Sequence, residues 1–159
     1  MSKAFTDEEA APPPRVVPAR PPLPAGVPNY VTPRGLARLH VELDALRAER
    51  AEEASERAAL AQRRAQLEQR IASAELVPAP EGPHDTVRFG ATVTVEGASG
   101  VRRYRIVGVD EADAARGDIA FVSPLARALL GRAAGEAVRL RAPRGDEELE
   151  IVAVDYEDA

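Results

Sequence analysis

Between Pro33 and Pro78 the chain has no proline and a single glycine, Gly35. The stretch is built from Ala, Leu, Glu, Arg and Gln, all strong helix formers. Thr32 is a good N-cap, and Pro33 suits the first helical position, where its missing N–H costs nothing. Apolar residues recur at Leu36, Leu39, Leu43 and Leu46, then at Leu60, Leu67, Ile71 and Ala74. This is heptad spacing, and a helix carrying such a stripe must bury it against another helix. One solution is a continuous helix of 44 residues, Pro33 to Leu76, paired with a second chain. It would be roughly 66 Å long at 1.5 Å per residue. The other is a hairpin in which the chain pairs with itself.

The hairpin requires the two arms to mirror one another. Leu36 falls opposite Ala74, Leu39 opposite Ile71 and Leu43 opposite Leu67, all about Ser55. Arg50 to Arg57 contains no large apolar residue, as a solvated tip should. We therefore read residues 32–77 as an antiparallel helical hairpin, a short coiled coil with its tip near 50–57, and the chain as a monomer. Arg64 falls opposite Leu46 and Arg50 opposite Leu60. Their stems can pack while their heads reach water, so the tip end is expected to be loosely held.

The flanks differ in kind. Residues 1–31 hold eight of the fourteen prolines and are expected to form a disordered, polyproline-leaning tail. Pro78, Pro80, Gly82 and Pro83 mark residues 78–86 as a linker. From residue 87 the apolar period changes to two, the strand period. Strands are expected near Ala91–Val95, Arg103–Val109, Ile119–Val122, Ala137–Arg141 and Leu149–Val154. Ser123 and Pro124 open a short helix that Gly131 stops. Residues 87–156 thus read as a small antiparallel β-sheet domain with one short helix, and the whole chain as α+β.

Composition narrows the chemistry. Without cysteine there is no disulfide framework, thiolate zinc site or Cys nucleophile. Two histidines are too few for a His-based metal cage, and no intrinsic metal or cofactor is expected. A net charge of −5, with 20 Arg and one Lys, suits protein partners better than a broad grip on nucleic acid. No apolar run is long enough for a membrane span, and the N-terminus lacks a secretory pattern. A soluble, cytoplasmic protein is the expectation.

No P-loop, dinucleotide-binding turn or HExxH is present. His40 and His84 read as idle surface residues, and Ser123 as a cap rather than a nucleophile. Glu49, Glu52, Glu53 and Glu56 gather at the expected tip. Of these, Glu52, Glu53 and Glu56 are the weak candidates for holding a hard cation such as Mg²⁺. Arg47, Arg50 and Arg57 lie in helical reach and favour a salt-bridged surface instead. Asp110-Glu111-Ala112-Asp113 reads as a polar loop or a capping signal for the next turn.

Three motifs in order carry a resemblance: FGATVTV (Phe89 to Val95), YRIVGVDEAD (Tyr104 to Asp113) and SPLARALLG (Ser123 to Gly131). They resemble the C-terminal domain of bacterial Gre transcript-cleavage factors. MSKAF at the start and PLPAGVPNYVTPRG (Pro22 to Gly35) look like the GreB-like branch. The resemblance implies a helical hairpin on an FK506-binding-protein-like (FKBP-like) domain. It implies that this domain docks at the rim of the RNA polymerase secondary channel, through Val122, Ser123, Pro124, Leu125 and Arg127. In the family the hairpin enters the channel, and tip acids help hold Mg²⁺ of the polymerase active site while backtracked RNA is cut. The factor is then an accessory, and the polymerase is the enzyme.

This chain departs from that pattern in two places. The family tip motif, GD-x-[SK]-ENA-x-Y, is absent. The family also has about two dozen more residues between the positions of Leu46 and Leu67, so each arm is shorter by about 18 Å at 1.5 Å per residue. Val122 stands where family members commonly carry an acid. The expectation is a Gre-like factor that modulates transcription without efficient cleavage. The alternatives are a cleavage factor working through its tip glutamates, or a relative of the short-coil regulators of nucleoside diphosphate kinase.

Overall fold

The computed structural model describes residues 20–157. The proline-free stretch forms two helices, α1 (Pro33–Ala48) and α2 (Ala54–Ala72). The chain reverses between them through residues 49–53, so the hairpin forms and the continuous helix does not. Leu39, Leu43 and Leu46 of α1 are buried with Leu60 and Leu67 of α2. Leu36, Ile71 and Ala74 close the seam at the base, as the mirror pairing requires. Thr32 caps α1 as expected, its hydroxyl accepting from Gly35 N at 3.0 Å.

Below the helices, β1 (Tyr30–Val31) pairs in parallel with β2 (Glu75–Leu76). This two-stranded clasp ties together the entry and exit of the hairpin. It revises the expected tail. Residues 1–19 lie outside the described residues; Asn29 and Val31, at the end of the expected tail, are buried. Asn29 donates from Nδ2 to Arg70 O at 2.9 Å, and its own carbonyl accepts from Glu75 N at 2.8 Å. Each contact comes from the far arm of the hairpin, so no local pattern of prolines announces it.

The second layer is a five-stranded sheet. Its strands are β3 (Ala91–Gly97), β4 (Gly100–Val107), β5 (Asp118–Ala120), β6 (Ala137–Ala142) and β7 (Gly145–Tyr156). They lie in the order β5-β4-β3-β7-β6. The expected all-antiparallel sheet is corrected to a mixed one, because β5 runs parallel to β4. The link from β4 to β5 uses 3₁₀ turns at Val109–Glu111 and Ala114–Arg116, which carry the chain back before β5 begins. A bulge between Thr94 and Val95, against β7, bends the sheet.

The alternating apolar residues of the strands fill one face. Val93, Val95, Ile106 and Ile151 are fully buried there, together with Ala126 and Leu129 of the short helix α3 (Pro124–Leu129). The sheet domain and the hairpin meet at a small aromatic cluster. The Tyr30 ring lies 5.8 Å from Phe89 and 5.4 Å from Phe121, and the two phenylalanines are 5.5 Å apart. The fold is α+β. Among the described residues no helix is long and apolar enough to cross a membrane.

Candidate functional site

Three regions contain the residues singled out from sequence: the hairpin tip, the α3 start and the loop after β4. At the tip, Glu49 is the C-cap of α1 and Glu53 the N-cap of α2. Glu49, Glu52, Glu53 and Glu56 are all exposed. The arginines around them pair differently from the expectation. Arg63 approaches Glu49 at 3.9 Å, Arg47 pairs with Glu68 at 3.3 Å, and Arg57 donates to the Glu52 main-chain carbonyl. Among the described residues no three His, Cys, Asp or Glu side chains gather where a metal ion could sit. A hard cation prefers several converging oxygens, so this tip does not fit an intrinsic Mg²⁺ site.

The tip is also better held than its sequence implies. Arg64 reaches across the seam and caps the end of α1. Its Nε donates to Leu46 O at 2.8 Å, and its Nη2 donates to Glu49 O at 3.1 Å and Arg47 O at 3.3 Å. The last carbonyls of a helix lack internal partners and carry partial negative charge, so a guanidinium there satisfies both needs.

At α3 the expected cap forms: the Ser123 hydroxyl accepts from Ala126 N at 3.3 Å. Pro124 and Arg127 are exposed, while Val122 and Ser123 are half-buried. Leu125 turns inward and packs on the sheet core. Leu125 thus faces the core, as does the intervening Ala126, while Pro124 and Arg127 form the outer surface.

The loop after β4 holds what sequence reading missed. Asp113 does cap the following turn, accepting from Ala115 N at 3.1 Å. Its two neighbours do something else. Glu111 is only 8% exposed, and its carboxylate accepts from Thr32 N at 3.1 Å and Gly108 N at 3.0 Å. It also takes the Thr32 hydroxyl proton in a hydrogen bond. Asp110 faces Arg70 of α2 at 3.5 Å and Arg20 at 3.0 Å. Two consecutive acids thus fasten the sheet domain to the first turn of α1 and the last turn of α2. The signal in the sequence was two adjacent carboxylates, which read as a polar loop or a capping signal for the next turn.

Residues 82–156 match the family model described as transcription elongation factor, GreA/GreB, C-terminal. The C-terminal domain is thus similar to that of the GreA/GreB family. Its Gre relatives include GreA of Anaeromyxobacter sp. (strain K), 47% identical over 88 residues, covering 54% of this chain and 53% of that one. GreA of Nitratidesulfovibrio vulgaris is 47% identical over 77 residues, covering 47% and 48%. The chain spans about half the length of these curated relatives. They carry the GreA name, and the GreB-like branch is not singled out. Among solved Gre structures, a GreA/GreB factor from Nitrosomonas europaea is 25% identical, with 80% of this chain and 98% of that one covered and a TM-score of 0.44.

Proposed function

We propose that the chain is a Gre-type accessory factor. It docks on RNA polymerase at the rim of the secondary channel through the α3 start and modulates transcription without stimulating efficient transcript cleavage. The single observation that carries this reading is the pairing of a GreA/GreB C-terminal domain with a tip whose glutamates are exposed and do not converge. α1 has 16 residues, about 24 Å at 1.5 Å per residue, so the tip stands only that far from the base. Metal-assisted cleavage needs ligands held to well under an ångström or so. A short arm with dispersed carboxylates supports steric modulation instead. Pro124, Ser123 and Arg127 make the docking edge, with Val122 supplying apolar contact and Leu125 holding α3 in place.

Titration of fluorescently labelled protein with core polymerase tests the docking, with Pro124→Ala and Arg127→Glu as the weakened variants. Low-micromolar binding that both variants reduce supports the reading; no binding in that range overturns it. A stalled, backtracked elongation complex tests the chemistry: RNA that stays uncut in Mg²⁺ while nucleotide addition slows is the expected result. Robust RNA shortening that disappears in Glu52→Ala/Glu53→Ala/Glu56→Ala would instead assign cleavage to the tip glutamates.

A further inference from the structure

Arg20 joins the two bodies of the molecule directly. Its guanidinium donates to Glu42 on α1 and, at 3.0 Å, to Asp110 on the sheet domain. The next residue continues the connection, because Pro21 O accepts from Arg70 Nη2 at the end of α2. From there the chain runs through Pro22, Pro24 and Pro28 to the buried Asn29. We propose that residues 20–28 are an intramolecular strap, with Arg20 as its positioning residue, that sets the angle between the helical hairpin and the sheet domain.

The two arms of the hairpin are held to the sheet domain separately. Without the strap, the hairpin is fastened to the sheet domain at its base, where Thr32 meets Glu111 and Tyr30 meets Phe89 and Phe121. The Asp110–Arg70 pair holds the α2 arm, where Arg70 stands opposite His40, about 8 Å above the level of Gly35 at 1.5 Å per residue. Of the two arms, α1 is then held only through its first turn. Glu42 lies seven residues beyond Gly35, about 10 Å up α1 at 1.5 Å per residue. Arg20 therefore gives α1 the counterpart of the attachment that Arg70 gives α2, and both arms are held to Asp110 above the first turn of α1.

The strap suits this task chemically. Prolines restrict the free chain, so less entropy is lost on laying it down. Burial opposes the Arg20 charge, but the hydrogen bonds to Glu42 and Asp110 outweigh it and hold its pKa above the ordinary arginine value. The strap is held by charge rather than by packing: open grooves border it on both sides, one against Gln66 and Gln69, the other against Leu46 and Ala112. Glu42 is half exposed, with 49% of its side chain accessible, so salt weakens the upper attachment. The strap can therefore release while the Asp110–Arg70 pair and the base stay intact. The inference concerns the isolated chain and stands apart from any polymerase.

The test uses the full chain, which has no native cysteine. Spin labels on Glu53→Cys at the tip and Asp146→Cys at the β6–β7 turn report the hairpin angle as a distance distribution. The parent should give one narrow peak that broadens at high salt. Arg20→Ala and Glu42→Gln should each lose the narrow peak, and the double variant should look like either single one, because both remove the same link. Arg34→Ala, which breaks a surface pair with Glu157, should leave the peak narrow. Circular dichroism confirms that each variant is folded. A peak that stays narrow in folded Arg20→Ala, or effects of Arg20→Ala and Glu42→Gln that simply add, would overturn the strap.

Discussion

Thr32 and Glu111, 79 residues apart, form a single capping unit: the Thr32 backbone N–H donates to Glu111 Oε2 at 3.1 Å. The Thr32 hydroxyl meanwhile accepts from Gly35 N at 3.0 Å and donates to the same carboxylate. A carboxylate from the sheet domain thus completes the cap of the hairpin's first helix. Removing it leaves Thr32 N and Gly108 N buried without an acceptor, at about 1–3 kcal/mol for each unsatisfied group. Glu111→Ala should lower the urea midpoint accordingly. Thr32→Ala and Glu111→Ala together should cost less than the sum of the two, as expected for groups in one network.

Gly35 sits under that carboxylate. A Cβ built there would lie 2.0 Å from Glu111 Cδ. In an open helix Gly→Ala gains about 1 kcal/mol of propensity, whereas overpacking a tight site costs about 1–3 kcal/mol. Gly35→Ala is therefore expected to destabilise the protein in chemical denaturation. In a Glu111→Ala background, where the obstacle is gone, the same change should become neutral or stabilising.

Arg64 anchors the tip through three main-chain carbonyls of the α1 end. Arg64→Met keeps the apolar stem and loses those bonds, so a loss of about 1–2 kcal/mol is expected. Amide exchange at residues 50–57 should accelerate, while exchange in β3 and β7 stays slow.

The tip glutamates are exposed and without a shared partner. Glu52→Ala/Glu53→Ala/Glu56→Ala should therefore shift stability by no more than about 0.5 kcal/mol. In the elongation-complex assay the triple variant should match the parent in leaving RNA uncut.

Tyr156 gives a pH signature. Its hydroxyl donates to Thr86 O at 2.6 Å and accepts from Arg88 N at 3.0 Å. Burial raises its pKa above the ordinary 10.0, outweighing the opposing Arg88 contact. A raised folded-state value means the phenol contributes stability that is fully present below pH 10 and lost as pH rises through the folded pKa. Ultraviolet titration should show one of the three tyrosines ionising late. Tyr156→Phe should remove that late step and flatten the alkaline loss of stability.

How far the fold was legible follows the range of the forces involved. Thr32-Pro33 and Ser123-Pro124 were readable as helix starts because a cap is satisfied within three residues of itself. The hairpin was readable because its two arms carry mirrored stripes. Leu125 was less so: its place in the sequence groups it with a docking edge, but the pitch of α3 turns it toward the core. The parallel β4–β5 pair was missed because strand direction depends on how the intervening turns pack, and alternation is the same for either direction.

Periodicity, caps and the shift from a 3.5-residue to a 2-residue repeat were enough to point to a helical hairpin, over a continuous helix, followed by a strand-rich domain, since hydrophobic burial demands one apolar face per element. They were silent on how the two bodies are joined. Asp110 and Glu111 read as a polar loop or a capping signal, and Arg64 as a packed stem with its head in water, because Arg20, Thr32 and the α1 carbonyls that engage them are 15 to 90 residues away. Such charges are buried only where folding brings an opposite charge or an unpaired backbone group against them, and that meeting exists only in three dimensions.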